Sequence, residues 1–429
     1  MAHGTTTLVE PRASLKAWVV CLGAALFFFY EFIQMNMFNV ISIPLMHEFG
    51  ISAAQLGSMS AYYFIANVLF LFPAGIILDR VSVKKVILVS LALSVLGTAL
   101  FSFSHSLTWA TFFRFLTGIG GAFCFLSCLR LASRWFPARQ MALITGCIVT
   151  MAMLGGAVAQ APLELLIEKL TWRQALQIDA AFGVLIFLVI SAVVKEYPDS
   201  YKELYQEYQK QISEMGFFKS LNLAFLRMEN WLPAIYTCLM NLPVVLLGGL
   251  WGTLYLVNAY GLGKLQAAHI SSMLFIGTIV GSPLSGWISD RLALRRVPML
   301  IGAALSLVLM LILIYSSKLN FVELLLIFLF LGVFTSTQII SYPFVAETSP
   351  RVITAMSVSV VNITTQGGIA LFQPFFGFLL DLHAHSGHSG ENILTVGDFH
   401  WAMWIFPIGF IIALMAIYAT QESYARIVE

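Results

Sequence analysis

The chain has 429 residues, of which 59% are hydrophobic and only 10% are charged. Soluble domains carry about 25% charged residues, so this composition excludes an ordinary soluble protein and indicates one embedded in a membrane. The formal net charge of +2 does not point to any class of partner. The distribution of charge along the chain is the informative property.

The apolar segments have the length of helices. A helix that spans a membrane needs about 20 apolar residues, whereas a barrel strand needs about 10. The sequence contains twelve apolar segments of helix length and therefore predicts an all-α membrane protein with twelve transmembrane helices. In chain order they cover approximately residues 16–46, 56–78, 85–104, 109–133, 139–163, 174–194, 231–258, 266–289, 297–316, 321–345, 352–380 and 400–420.

Positively charged residues predict the orientation of these helices. An even number of helices places both termini on one side, and placing them inside puts most Lys and Arg residues on the cytoplasmic side. Only Lys169, Arg173, Lys264 and Lys318 then fall outside, and Arg114 falls within a helix. We therefore predict cytoplasmic termini, and we expect no cleaved signal peptide.

An eleven-residue motif occurs twice in the chain. It has the form G-x-x-x-D-R-[VL]-[SA]-[VL]-[KR]-[KR], and its copies start at Gly75 and Gly286, each after an apolar helix. Internal duplication is common in secondary transporters, whose binding site lies between the repeats. The sequence thus predicts two pseudo-symmetric six-helix bundles, residues 1–194 and 231–429. Residues 195–230 form a polar cytoplasmic linker with balanced charge, which indicates a solvated connector and not a nucleic-acid patch.

Other motifs, together with the repeated one, resemble the major facilitator superfamily over essentially the whole chain. They are Arg114-Phe-Leu-Thr-Gly118-Ile-Gly120-Gly121-Ala122 in the fourth helix, Trp172-Arg173 before the sixth, and Phe372-Gln373-Pro374-Phe-Phe-Gly377 in the eleventh. Ser82 and Ala293 depart from the glycine that is common inside the repeated motif. The resemblance implies a transporter of two rocking six-helix bundles, in the bacterial inner membrane.

Two narrower features bear on the branch of this superfamily. The fifth helix has Gly155-Gly156 and Gln160-Ala-Pro162 and lacks the G-P-x-x-G-G run of drug–proton antiporters, which weakens an efflux interpretation. These residues, with Arg134-Trp-Phe-Pro137, resemble the nutrient-import (phagosomal transporter-like) branch of intracellular bacteria.

The repeated motif predicts a cytoplasmic gate. Its carboxylates stand where a helix ends, and a carboxylate there can accept from the N-terminus of a neighbouring helix. The superfamily resemblance implies the same role, a latch that stabilises the outward-open state. The predicted gate residues are Asp79, Arg80, Arg139, Asp290 and Arg291. The alternative is that these charges only fix the topology.

Two charged residues lie at membrane depth, where charge is costly and therefore indicates function. Glu31 lies roughly 22 Å along the first helix from Lys16, and Arg114 lies roughly 8 Å into the fourth helix, at about 1.5 Å per residue. In a core about 30 Å thick they reach similar depth. Burial favours the neutral form of a carboxyl and a nearby Arg favours its charged form, so Glu31 and Arg114 are candidates for proton coupling. The alternative is a static ion pair.

Polar and aromatic stripes on helices one, seven, ten and eleven extend the candidate site. Each member is about as suited to a helix–helix contact as to substrate binding. The predicted substrate-binding residues are Tyr30, Glu31, Gln34, Arg114, Asn241, Trp251, Tyr255, Gln338, Tyr342, Asn362 and Gln366.

We predict no metal site and no cofactor. The five cysteines fall in apolar segments without metal-ligand spacing. The loop His383-Ala-His385-Ser-Gly-His388, with His400 beyond it, allows a metal site, but the surrounding Gly and Ser favour a solvated loop.

The sequence therefore predicts a secondary transporter that imports a small polar metabolite, an amino acid or a nucleoside, together with a proton. Uniport is a close variant, and proton-driven export of a drug or siderophore is the alternative. A membrane enzyme is disfavoured because no catalytic constellation and no Walker motif appears. A transport-dead receptor is disfavoured because both gate carboxylates are present. We expect a monomer in the lipid bilayer, with no nucleic-acid partner.

Overall fold

The computed structural model describes residues 14–136, 140–197, 225–316, 319–349, 354–387 and 394–423, without the side chains of residues 72, 76, 79, 142, 354–356 and 385–387. Regular structure in these ranges is helical, and none of these residues forms a strand. The predicted all-α membrane fold is confirmed.

Twelve long helices follow one another in the described ranges. The first six are α1 (Leu15–Phe49), α2 (Ala53–Arg80), α3 (Val83–Phe103), α4 (Leu107–Trp135), α5 (Met141–Val158 continued by Ala161–Lys169) and α6 (Trp172–Val193). The second six are α7 (Met228–Tyr260), α8 (Lys264–Leu292), α9 (Arg296–Tyr315), α10 (Phe321–Thr348), α11 (Thr354–Gly387) and α12 (Val396–Tyr418). Eleven of them contain a stretch long and apolar enough to cross a membrane, and the twelfth, α2, has 28 residues.

Several helices extend past the predicted ends, chiefly on the outer side. The fifth continues to Lys169, the eleventh to Gly387, and the second begins at Ala53. Apolar runs predict only the part of a helix in hydrocarbon, whereas capping groups set its true start. Ser52 illustrates this, because its side chain accepts from the backbone N–H of Gln55 at the first turn of α2.

Three helices are irregular near their middles. The first breaks at Met37, the seventh contains the π-helix Pro243–Trp251, and the tenth contains the 3₁₀ turn Ser336–Ile340. Pro243, the first residue of the π-helix, lacks a backbone N–H donor. The π and 3₁₀ turns also change which backbone groups pair within their helices. These breaks therefore leave backbone groups that side chains of other helices can bind.

The outer ends of the two bundles are in direct contact. Gly57 of α2 lies against the backbone of α11, where a Cβ would come 2.6 Å from the carbonyl oxygen of Gln373. At the outer end of α11, the carboxylate of Asp381 accepts from the backbone N–H groups of Ala53 and Ala54, at 3.1 and 2.8 Å. A carboxylate of one bundle thus caps a helix N-terminus of the other.

Candidate functional site

Glu31 lies in the interior of the N-terminal bundle and is 1% exposed. The hydroxyl of Tyr63, from α2, donates to its Oε2 at 2.9 Å. The hydroxyl of Ser94, from α3, donates to its Oε1. Both carboxylate oxygens therefore have a neutral hydroxyl partner from a different helix.

Arg114 of α4 is equally buried, and it binds α1 close to the interruption of that helix. Its Nη1 donates to the backbone carbonyl of Gln34 at 2.6 Å, three residues before the break at Met37. Its guanidinium carbon lies 4.4 Å from the ring centroid of Phe38 and 4.6 Å from that of Tyr63, in cation–π geometry. Nε and Nη2 of Arg114 have no hydrogen-bond partner among the described residues.

Glu31 and Arg114 are therefore neighbours, but the static ion pair that the sequence allowed is not formed between them in the described structure. Tyr63 lies between, donating its hydroxyl to Glu31 and presenting its ring to Arg114. The glycines of the fourth-helix motif make room for it. A Cβ at Gly118 would come 2.8 Å from Cα of Tyr63, and one at Gly121 would come 2.9 Å from its ring carbon Cζ.

Gln34 links this cluster to α3 and α6. Its Nε2 donates to Oδ2 of Asp179 at 2.6 Å, and its Oε1 accepts from the hydroxyl of Thr98 at 2.6 Å. Tyr30 also faces away from the second bundle, because its ring lies against Gly183 of α6. The predicted residues Tyr30 and Gln34 thus lie inside the N-terminal bundle.

Four members of this cluster were not predicted from the sequence. Asp179 carried the same signal as Glu31, a carboxylate inside an apolar helix. Tyr63, Ser94 and Thr98 are common helix residues whose partners depend on packing between helices, so no comparable signal in the sequence marks them.

Five of the seven predicted residues of the second bundle form a separate, half-buried polar surface. Asn241 of α7 accepts from Nε2 of Gln338, of α10, at 3.2 Å. Tyr342 and Asn362 are also half-buried. Gln366 of α11 reaches the other bundle, where its Nε2 donates to Oδ1 of Asn67 at 3.3 Å.

Trp251 and Tyr255 lie deeper in the second bundle than this surface. The indole of Trp251 stacks on Phe376 of α11, with ring centroids 5.8 Å apart. The hydroxyl of Tyr255 donates to the backbone carbonyl of Leu313, in α9, at 3.4 Å. In this conformation Tyr255 therefore binds a helix of its own bundle.

A clasp of two amides, Asn39 and Gln160, joins the bundles beside the π-helix of α7. Nδ2 of Asn39 donates to Oε1 of Gln160 at 2.6 Å. Nε2 of Gln160 donates to the carbonyl of Gly248 at 2.9 Å, and Oδ1 of Asn39 accepts from the backbone N–H of Thr253 at 2.9 Å. The irregular backbone of α7 thus bonds the opposite bundle.

One further buried carboxylate lies apart from these groups. Glu164, in the outer segment of α5, is 1% exposed, and neither carboxylate oxygen has a hydrogen-bond partner among the residues that the structure describes. Glu164 was not predicted from the sequence as a site residue.

The second copy of the repeated motif binds within its own bundle. Asp290 accepts from Nη1 of Arg295 at 2.5 Å, and Arg295 also pairs with Glu347 at the end of α10, at 2.6 Å. Arg291 lies over the ring of Trp287, 5.2 Å from its centroid. In this conformation Asp290 does not reach the other bundle through any contact of the described residues.

The first copy is described only in part. The side chain of Asp79 and the whole of Arg139 lie outside the described residues, and Arg80 is exposed. Beside this loop, Glu196 accepts from the backbone N–H of Val83 at 3.0 Å, from the hydroxyl of Ser82, and from Arg134 at 2.8 Å. Burial raises the pKa of Glu196, but these donors outweigh it and hold the pKa below its ordinary value.

The histidine loop is also described in part. Nδ1 of His383 lies 2.6 Å from Oδ1 of Asp398, at the start of α12. His388 lies outside the described residues, as does the side chain of His385.

Comparison with known proteins identifies the family. The model of the major facilitator superfamily matches residues 21–268 and 234–426. A probable sulfoacetate transporter of Cupriavidus necator is 25% identical over 295 residues, which cover 66% of this chain and 67% of that protein. A D-galactonate transporter of Escherichia coli is 24% identical over 290 residues, which cover 62% of this chain and 67% of that protein.

Solved structures share the fold. One is a bacterial homologue of the human lysosomal transporter Spinster, inward-facing and unoccupied, with 17% identity, a TM-score of 0.74, and coverage of 94% of this chain and 98% of that chain. A D-xylose–proton symporter has 13% identity, a TM-score of 0.74, and coverage of 96% of this chain and 99% of that chain. The narrower resemblance to a nutrient-import branch stays a prediction. The chain belongs to the major facilitator superfamily, as a multi-pass transporter of the bacterial inner membrane and not an enzyme.

Proposed function

We propose that the protein imports a small polar metabolite together with protons, by rocking of residues 1–194 against residues 231–429, which residues 195–230 connect. Substrate binds between the bundles, and proton exchange occurs in the N-terminal bundle. The D-xylose–proton symporter, which has the same fold, supports proton coupling as a mechanism open to this architecture.

The observation that carries the proposal is the cluster of Glu31, Tyr63 and Arg114. A carboxylate with two hydroxyl partners can be held as either the acid or the anion, because a hydroxyl both donates and accepts. Arg114 favours the anion through its charge, and it keeps two N–H groups free for another partner. Binding of a substrate anion by Arg114 would weaken its support of ionised Glu31 and so link proton uptake to substrate binding.

The substrate class follows from the same guanidinium and from the polar surface of the second bundle. A planar guanidinium with two free N–H groups suits a carboxylate. Asn241, Gln338 and Asn362 offer neutral donors and acceptors for hydroxyl or amide groups. The relatives named for sulfoacetate and D-galactonate, both organic anions, support a substrate that bears an acid group. Among the classes predicted from the sequence, an amino acid fits better than a nucleoside.

A thermal-shift screen identifies the substrate, since a ligand of the native state raises its stability by mass action. The screen should contain amino acids, nucleosides, D-galactonate and sulfoacetate. The compound that shifts the melting temperature is then tested for uptake into proteoliposomes with a proton gradient directed inward. Accumulation that is indifferent to the gradient contradicts symport, and accumulation only under an opposite gradient favours export.

Substitution of Glu31 tests the coupling residue. Glu31→Gln should strongly reduce uphill uptake but keep exchange of labelled for unlabelled substrate, because exchange needs no net proton movement. Glu48→Gln is the matched control. Glu48 is a carboxylate at the outer end of the same helix, and it pairs with Arg173 at 2.5 Å. Concentrative uptake by Glu31→Gln at the level of Glu48→Gln would exclude Glu31 as the proton carrier.

A further inference from the structure

A second carboxylate lies in the N-terminal bundle, connected to Glu31 through α1. Asp179 of α6 is 7% exposed, and its Oδ2 accepts from Nε2 of Gln34 at 2.6 Å. At the other end of that amide, Oε1 of Gln34 accepts from the hydroxyl of Thr98, so the nitrogen lies toward Asp179. Among the described residues, Asp179 pairs with a neutral amide and with no basic side chain.

The charges of this cluster do not balance when both acids are ionised. Glu31 and Asp179 would contribute two negative charges, and Arg114 contributes one positive charge. Burying an unbalanced charge at membrane depth costs several kcal/mol, and a proton on one carboxylate removes that cost. We propose that Asp179 is a second proton-binding residue of the transporter, so that two carboxylates, and not Glu31 alone, exchange protons during the cycle. This inference rests on the proposed proton coupling.

The contacts of Gln34 link Asp179 to the substrate-binding guanidinium. Arg114 holds the backbone carbonyl of Gln34 while the side chain of Gln34 holds Asp179. If Arg114 turns to a substrate anion, it releases that carbonyl beside the break in α1. The amide of Gln34 then shifts, and Asp179 loses a donor that favours its ionised form. Substrate binding therefore promotes protonation of Asp179 as well as of Glu31.

The surroundings of Asp179 can support either protonation state. The titratable groups that face it are Tyr30 and Glu31, both from α1, while α3 offers the hydroxyl of Thr98. The hydroxyl of Tyr30 is buried and lies near Thr98 and Asp179. It lies against α6 at Gly183, one turn beyond Asp179, where a Cβ would come 2.7 Å from it. Tyr30 is thus a further donor near the carboxylate.

Infrared difference spectroscopy of the purified protein tests this proposal, with a change of pH as the only probe. Protonated carboxyl groups have a separate carbonyl stretching band. Among the bands that titrate we expect two from this cluster, of which Asp179→Asn lacks one and Glu31→Gln lacks the other. Because no substrate is needed, this result does not depend on whether the proposed import is correct.

Controls separate proton binding from a structural role. Gln34→Leu removes the amide but keeps the acid, so the Asp179 band should persist at a shifted pH. Glu164→Gln removes a buried carboxylate outside the cluster and should leave both bands in place. If Asp179→Asn does not fold, isotopically labelled aspartate in the wild-type protein identifies the same band by its shift.

Three results would overturn the proposal. They are a spectrum of Asp179→Asn that retains both bands, an Asp179 band that does not titrate, and an Asp179 signal that responds to sodium ions but not to pH. Once a substrate is known, the reversal potential of uptake should correspond to two protons per substrate in wild type and to one in Asp179→Asn. Equal stoichiometry in the two proteins would likewise overturn it.

Discussion

Removal of the carboxylate that joins α11 to α2 should shift the transporter toward its outward-open state. Asp381 accepts from two backbone N–H groups at the first turn of α2, and these bonds exist only while the outer ends of the bundles are together. A hydrogen bond to a charged group contributes about 1.5–3 kcal/mol, and a carboxylate at a helix N-terminus adds about 0.3–1 kcal/mol. Asp381 is partly exposed, so we take about 2 kcal/mol for both effects together. Asp381→Ala should then change the ratio of the two states roughly thirtyfold, at tenfold per 1.4 kcal/mol.

The rate of labelling of a cysteine at position 60 measures this shift. Ser60 is buried on the face of α2 that includes Ala53 and Gly57, which contacts α11. In a Ser60→Cys background, a membrane-impermeant maleimide added outside should react roughly thirtyfold faster when Asp381→Ala is present. Asp398→Ala is the control, because Asp398 also caps an outer helix end but within one bundle. Unchanged labelling in Asp381→Ala would refute the role of this contact.

Three further predictions concern other charged groups. Arg114→Lys loses the planar guanidinium and should weaken substrate binding by about tenfold or more in thermal-shift titrations; unchanged affinity would leave Arg114 a structural role. The pKa of Glu196 lies below its ordinary value of 4.5, so the stability it contributes is present above that pH and is lost as the pH falls through the folded-state value. Glu196→Gln should therefore lower the melting temperature at neutral pH but flatten its decline below about pH 5, and parallel curves would contradict this. Asp79→Asn and Asp290→Asn should each speed the labelling of cysteines on the cytoplasmic side of the cavity, whereas rates equal to wild type in both would mean that the repeated motif only sets topology.

The fold could be predicted from the sequence because hydrocarbon imposes a simple requirement. A segment of about 20 apolar residues has to form a helix there, since its backbone groups find no water. The helix ends were less predictable, as the extension of α5 to Lys169 shows. The breaks in α1 and α7 were not predicted at all. They are accompanied by bonds from Arg114, Asn39 and Gln160 to backbone groups, which depend on the packing of distant segments.

The candidate site could be predicted only where charge marks it. Glu31 and Arg114 stand out because ionisable groups at membrane depth are rare, and Asp179 carries the same signal. The hydroxyl groups of Tyr63 and Ser94 carry no such signal, because the same residues are common in helix–helix contacts. Only the arrangement of α1, α2, α3 and α4 in space places them on the carboxylate of Glu31.

The placement of charge also explains how the bundles can move as units. In the N-terminal bundle, Glu196 follows the last helix and accepts from the first turn of α3. In the C-terminal bundle, Glu422 also follows the last helix, and it accepts from the backbone N–H groups of Arg295 and Arg296, at 2.7 and 2.9 Å, where α9 starts. In each bundle, therefore, a glutamate after the last helix binds the start of the third helix, and the duplication repeats this contact. Between the bundles, the described bonds of Asn39 and Gln160 are neutral amide contacts, which contribute about 0.5–1.5 kcal/mol each and about half as much as charged ones. The carboxylate of Asp381 adds a charged contact at the outer ends. Charged contacts stabilise each bundle internally. The contacts between the bundles are neutral or, at Asp381, exist only while the outer ends are together. This arrangement favours rocking, the motion that alternating access requires, over internal rearrangement.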